Sequence, residues 1–343
     1  MTKRHSTICK GIAILLMFFH HLFFLSERVE KYEIIFWPFS QNQGVILGCF
    51  CKICVAIFVF ITGYGYYKNR INNNGCIRTT LKRILKLMFQ FWFVYIIFFV
   101  IGLFTKQCNV YYAGNIIKTI RNCIIDFCGL AYFANTPTIN PTWWYMSLAL
   151  TFIIIVPLFI LLNRNKYASA IILILIVLGC IFVKKDRVYT IFYYLVSLEI
   201  GIICSKYSLF EKIKRAASKK HYIDLIISAL LLVILSYLRL KVYVTYIVDP
   251  LIAMMICFFV YRLSDLVKGA SKVLFTFGKY SAVAFMMHTF LINYFMDYLY
   301  HPKYFLLIWL ILAIVTLACC YCLEKIKCII RYNKLCEKVL SWL

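Results

Sequence analysis

Apolar stretches alternate with short polar ones along almost the whole chain. Crossing a hydrocarbon layer about 30 Å thick takes about 20 apolar residues in a helix. Ten stretches approach or reach that length: 8–25, 45–67, 84–105, 142–162, 168–183, 188–205, 222–239, 243–261, 275–296 and 303–323. In lipid each backbone N–H and C=O must be satisfied within its own segment, so runs like these are predicted as helices. The pattern therefore predicts an all-α polytopic membrane bundle of about ten transmembrane helices. It reads as a single domain over 1–343, with a core at 8–323 and a basic tail at 324–343. The stretches 168–183 and 188–205 are short, which lets the turn Lys184-Lys185-Asp186-Arg187 between them dip toward the interface.

Composition places this pattern in lipid. Hydrophobic residues make up 64% and charged residues 15%, against about half and a quarter in soluble domains. The formal charge is +25, from 38 Lys and Arg against 13 Asp and Glu. These cations sit in short loops between apolar spans, the placement expected of positive-inside topology and anionic membrane lipid and not of nucleic-acid binding. Lys3, Arg4 and Lys10, then Lys68 to Arg83, Arg164 and Lys166, the run 206–220, Arg262 to Lys272 and the tail fall on one side. Ten spans then leave both termini in the cytoplasm, with the protein in the cell membrane. The first stretch is kept as a helix and not a cleaved leader, because no small-residue cleavage site follows Leu25.

Most of the sixteen cysteines lie in apolar spans, where they act as small hydrophobes. Cys51 and Cys54 form a C-x-x-C with Cys49 just before, but no second pair or neighbouring His completes a metal set, so no metal is expected.

Ionisable residues inside an apolar helix are costly and mark function by default. Lys10 and His21 are eleven residues apart, about 1100° on a helix, so they share one face at a separation of about 16 Å along the axis. On this reading Lys10 lies at the cytoplasmic surface and His21 in the inner part of the membrane. The alternative is that His20 and His21 merely mark the far interface. His288 and Glu199 are further intramembrane candidates, each with a plain alternative as a hydrogen-bonded core residue or a local charge partner. Asp249 before Pro250 is a possible site residue or a kink feature. Trp143 and Trp144 could stack on a sugar or belong to an interfacial aromatic belt.

A basic residue, the run Gly11-Ile12-Ala13-Ile14-Leu15-Leu16 and a His eleven positions on resemble the opening motif of the acyltransferase family 3 membrane proteins, with Lys10 where that family usually has Arg. Later stretches agree in order. Phe58 to Tyr64 is similar to the family's F-x-x-x-SG-[FY], with Thr62 for Ser. Leu81 to Leu87 resembles its R-R-x-x-R-I, with Lys86 for an Arg and Phe89 where a Pro is common. Pro141 to Leu148 looks like its W-F-L helix start, followed by Pro157, and Tyr280 to His288 looks like a late Y-x-x-H helix. The resemblance runs over about 8–323.

It implies an integral membrane O-acyltransferase that takes acetyl, or a larger acyl group, from acetyl-CoA or another acyl-CoA and places it on a hydroxyl of a surface glycan or a lipid-linked sugar precursor. No resident cofactor is implied; the acyl-CoA is a substrate. His21 would be the general base, Lys10 its partner on the helix, and His20 a supporting neighbour. Lys10, Arg78, Lys82, Arg83 and Lys86 are the cations available for donor phosphates. Trp144, Tyr145 or Thr62 would offer a proton to the oxyanion, while His288 and Glu199 join the substrate site. A transporter or flippase of lipid-linked sugars is the rival reading. It shares the spans and aromatic lining but does not require the Lys10–His21 spacing. A glycan polymerase fits less well, since the outer stretch 106–141 holds only Lys106, Lys118 and Arg121 as cations.

Overall fold

The structure, a computed structural model, describes residues 1–69, 76–163, 165–217, 222–242, 244–264 and 266–343. Arg70, Arg164 and the last residues of the run 206–220, all expected on the cytoplasmic side, lie outside the described residues, as does residue 243 at the start of one expected span. Ten helices carry the expected spans: α1 Lys3–Phe23, α2 Cys54–Asn69, α3 Cys76–Phe104, α4 Trp144–Leu162, α5 Lys166–Phe182, α6 Asp186–Lys206, α7 Ile223–Lys241, α8 Thr245–Leu263, α9 Lys268–Tyr294 and α10 Phe305–Ile329. No strand forms among the described residues, so the fold is all-α, as expected.

Eight helices among the described residues are long and apolar enough to cross a membrane; α2 is counted together with the helix Gln41–Phe50 that leads into it. The two others explain themselves in sequence. At 17 residues α5 is short, as its stretch predicts. The 27-residue α9 is diluted by Lys268, Lys272, Lys279, His288 and Asn293.

Helix ends depart from the hydropathy limits where polar residues cap them. Thr2 starts α1 at Lys3: its hydroxyl accepts from the His5 backbone N–H, and His5 Nδ1 accepts from the Thr2 N–H at 3.1 Å. This reciprocal pairing satisfies two of the orphan donors of the first turn. At the other end of the chain α10 runs on to Ile329, six residues past its apolar stretch.

The chain divides into two compact units. Unit one comprises Met1–Asn73 and Leu158–Ser281; unit two comprises Asn74–Pro157 and Ala282–Leu343. In unit one, α6 packs on α2, α5 and α8, and α1 packs on α2 and α8. The crossing of α2 and α6 brings backbone against backbone. A Cβ on Gly201 would stand 2.3 Å from the Phe60 carbonyl oxygen, and one on Gly63 2.2 Å from that of Leu198. Gly63 is the glycine of the Thr62-Gly63-Tyr64 motif, so this motif has a packing reason of its own.

Unit two is built on aromatic packing. Phe91 meets the Trp143 ring at 4.8 Å, Phe290 meets it at 5.6 Å, and Phe98 stacks on Phe290 at 3.7 Å. The stretch 106–141 is ordered by its own polar bonds and contains a helix, Ile116–Phe127. Buried Asp126 accepts from the Tyr111 hydroxyl at 2.6 Å and from the Ile139 N–H at 3.1 Å. Nearby, Asn140 Nδ2 donates to Thr289 Oγ1 at 2.8 Å.

Candidate functional site

Helix α1 runs unbroken through both Lys10 and His21, so their spacing holds them on one face about 16 Å apart. Because α1 starts at Lys3, Lys10 lies about two turns inside it and not at its start, while His21 lies in the last turn. Both side chains are half-buried.

The two histidines have different surroundings. His20 Nδ1 faces the Gly48 carbonyl oxygen at 2.9 Å; a carbonyl only accepts, so Nδ1 carries the proton and donates. The His20 ring also stacks on Phe24 at 4.6 Å. His21 meets the His20 ring edge at 4.9 Å, and its backbone carbonyl accepts from the Arg28 guanidinium at 2.7 Å. That bond satisfies one of the carbonyls that a helix end leaves open.

Unit one also holds Thr62 and Glu199. The Thr62 hydroxyl donates to the Phe58 carbonyl at 2.8 Å, so in this rotamer its only proton is directed away from any oxyanion. Glu199 is completely buried, and its hydrogen-bond partner is an amide, with Lys206 acting on it by charge. Asn163 Nδ2 reaches both carboxylate oxygens, at 2.9 and 3.0 Å. Ser169 donates to Asn163 Oδ1 at 2.5 Å, and Lys206 Nζ donates to Ser169 Oγ at 2.9 Å.

Unit two holds the remaining predicted residues. Arg78, Lys82 and Lys86 recur every fourth residue on α3, with Arg83 beside them; Arg78 and Lys86 are exposed, Lys82 and Arg83 half-buried. Like charges at this spacing repel by a few tenths of a kcal/mol per pair, which a bound anion would offset. Trp143 is buried and donates its indole N–H to the Met286 carbonyl at 3.0 Å, so it is a core residue and presents no face to a sugar. Trp144 is half-buried, 5.9 Å from the Tyr132 ring and 6.0 Å from that of Tyr145. His288 is completely buried, with Nδ1 2.8 Å from the Phe285 carbonyl oxygen one turn earlier on α9.

Sequence reasoning missed several polar groups that the fold pairs up. Asp249 on α8 is bound by Arg239 Nε at 2.5 Å and by the Tyr193 hydroxyl at 2.7 Å, and the same guanidinium lies 5.0 Å from the Phe50 ring. Asp249 beside Pro250 is visible in the sequence, but no local pattern ties Arg239 to it. In unit two, Lys327 is completely buried, bound to Gln90 Oε1 and, at 2.7 Å, to Glu324. Among the described residues no group of three or more His, Cys, Asp or Glu side chains is placed to hold a metal ion.

With eight candidate spans among its described residues, and ionisable side chains inside them, the chain is a multi-pass membrane protein. It belongs to acyltransferase family 3: the family's model, described as an acyltransferase domain, matches residues 7–325 of the 343. No curated protein and no solved structure matches the chain.

Proposed function

We propose that this acyltransferase moves an acetyl or other acyl group from acyl-CoA to a hydroxyl of a cell-surface glycan or its lipid-linked precursor, with His21 as general base. The observation that carries the reading is the unbroken α1 that aligns Lys10 with His21 inside a chain of this family. A neutral imidazole takes a proton near neutral pH, and the fold supports His21 from two sides, through its carbonyl and through the tethered ring of His20.

In the proposed step the imidazole removes the acceptor hydroxyl proton as the oxygen attacks the thioester carbonyl. The tetrahedral oxyanion collapses, the carbon–sulfur bond breaks, and the thiolate leaves with the proton that His21 held. The products are the glycan ester and free CoA thiol. The placement of the positive loops supports a cell-membrane protein with both termini in the cytoplasm.

The test is acetyl transfer from radiolabelled acetyl-CoA to glycan by the purified chain in lipid nanodiscs. His21→Ala should abolish transfer with helicity and gel-filtration profile unchanged, whereas His20→Ala should slow it partially. Undiminished transfer by His21→Ala would remove His21 from the mechanism. Mass spectrometry of surface polysaccharide from cells with and without the protein identifies the acceptor.

A further inference from the structure

A cavity of about 350 Å³ opens where the first turn of α1, the end of α8 and the first turns of α9 meet, lined by Arg4, Ser264, Lys268, Lys272 and Phe275. None of these residues is needed by the mechanism above, and all lie in unit one. The walls are fixed. A Cβ on Gly11 would stand 1.9 Å from the Leu274 carbonyl oxygen, and one on Gly278 1.7 Å from that of Thr7, so α1 and α9 touch backbone to backbone beside the cavity. Ser271 donates to the Ser264 carbonyl at 3.0 Å and ties α9 to the end of α8.

Three cations line the cavity. Lys268 and Lys272 are four residues apart on α9 and repel each other. The ion pairs of unit one among the described residues engage the Met1 ammonium, Lys68, Arg239 and Arg262. Lys268 is the first residue of a 27-residue helix, whose free N–H groups and dipole add to the positive field. The volume exceeds that of a single small ion and lies at the low end of small-molecule sites. Phe275, 36% exposed, supplies an aromatic wall.

We propose that this cavity binds a phosphate-bearing anion with an organic body, its phosphates on Arg4, Lys268 and Lys272 and its body against Phe275. Two sources share that chemistry: the phosphorylated nucleotide end of the donor, which rests on the acyl-CoA reading, and the headgroup of an anionic phospholipid.

The test uses the full chain in nanodiscs with adenosine 3′,5′-bisphosphate as the soluble probe. Phosphatidylcholine discs with and without phosphatidylglycerol form the lipid arm. Lys268→Gln/Lys272→Gln is compared with Lys279→Gln, which removes a charge from the same helix outside the cavity. A loss of about tenfold in bisphosphate affinity in the double variant alone, steeper at low salt, supports the site with the donor as source. Loss of phosphatidylglycerol retention alone supports it with the headgroup as source. If neither bisphosphate affinity nor lipid retention differs from the unaltered chain, the proposal is overturned. Should the double variant misfold, Arg4→Gln carries the same test, with about threefold expected. Neither arm requires turnover, so a chain that fails to transfer acyl groups would sink the functional reading and leave the cavity's result standing.

Discussion

Replacing Asn163 with Leu removes the donor that Glu199 relies on, and the structure sets the size of the effect. Both residues are completely buried. One amide nitrogen reaches both carboxylate oxygens, at 2.9 and 3.0 Å, while the amide oxygen accepts from Ser169 at 2.5 Å. A hydrogen bond contributes about 0.5–1.5 kcal/mol, and leaving its buried acceptor unmet costs about 1–3 kcal/mol of desolvation as well. Asn163→Leu should therefore destabilise by about 3 kcal/mol. Glu199→Leu alone should cost about 1 kcal/mol, since Asn163 keeps Ser169 and the Phe159 carbonyl at 3.0 Å as partners. Removing both polar groups leaves nothing to satisfy, so the double variant should cost clearly less than the sum, with a coupling of about 1.5 kcal/mol or more. The assay is reversible unfolding in mixed micelles followed by far-ultraviolet circular dichroism. Additivity within about 0.5 kcal/mol would refute the pairing. Glu199→Gln separates structure from chemistry. If Glu199 belongs to the substrate site, the amide variant loses acyl transfer while its stability changes little.

Arg239→Met strands Asp249 on α8 with the Tyr193 hydroxyl as a remaining donor; breaking a buried ion pair from one side costs about 3–5 kcal/mol, and Arg239→Met/Asp249→Leu should recover most of it in the same unfolding assay. Asp126 gives a pH signature. Burial pushes its carboxyl above the usual range, outweighing the bonds from Tyr111, Thr138 and Ile139 that favour ionisation. The folded form thus holds the proton more tightly than the unfolded chain, so stability falls as pH rises from the ordinary carboxyl value, 3.8, to the raised one. Asp126→Asn should flatten that fall and match or exceed the unaltered chain above it, as read by melting temperature against pH; an unchanged pH profile would refute it. Gly201→Ala should lower the yield of folded protein sharply, because its methyl would need the Phe60 carbonyl 2.3 Å away to move, whereas Gly65→Ala on α2, with nothing within 4 Å, should be silent.

Hydropathy resolved the ten helices because lipid imposes one rule on every spanning segment, and the rule acts residue by residue. It was blind to what happens at their ends. The segment Lys3 to Ser6 lies before the apolar stretch 8–25, yet Thr2 and His5 close a capping pair that makes it the first turn of α1. The stretch 106–141 reads as an outer connection, yet its helix is held by Tyr111, Asp126 and Ile139, residues 13 to 15 positions apart. Periodicity reports on neighbours within one element, so bonds between elements leave no trace in it.

The same boundary runs through the site. Lys10 and His21 were legible together because a single helix fixes their phase, and nothing outside α1 is needed to align them. What distinguishes His21 from His20 is tertiary: the Gly48 carbonyl, 28 residues away, holds one ring, and Arg28 caps the backbone of the other. Helix length then constrains the donor in a way the motif alone does not. Arg4 precedes His21 by seventeen residues, about 26 Å of rise along α1. If the cavity at Arg4 holds the donor's phosphates, the donor reaches the base at His21 only as a long, thin chain. A compact donor such as an acyl phosphate cannot touch both ends. Acyl-CoA meets that demand by its shape, with charge at one terminus and the reactive carbonyl at the other.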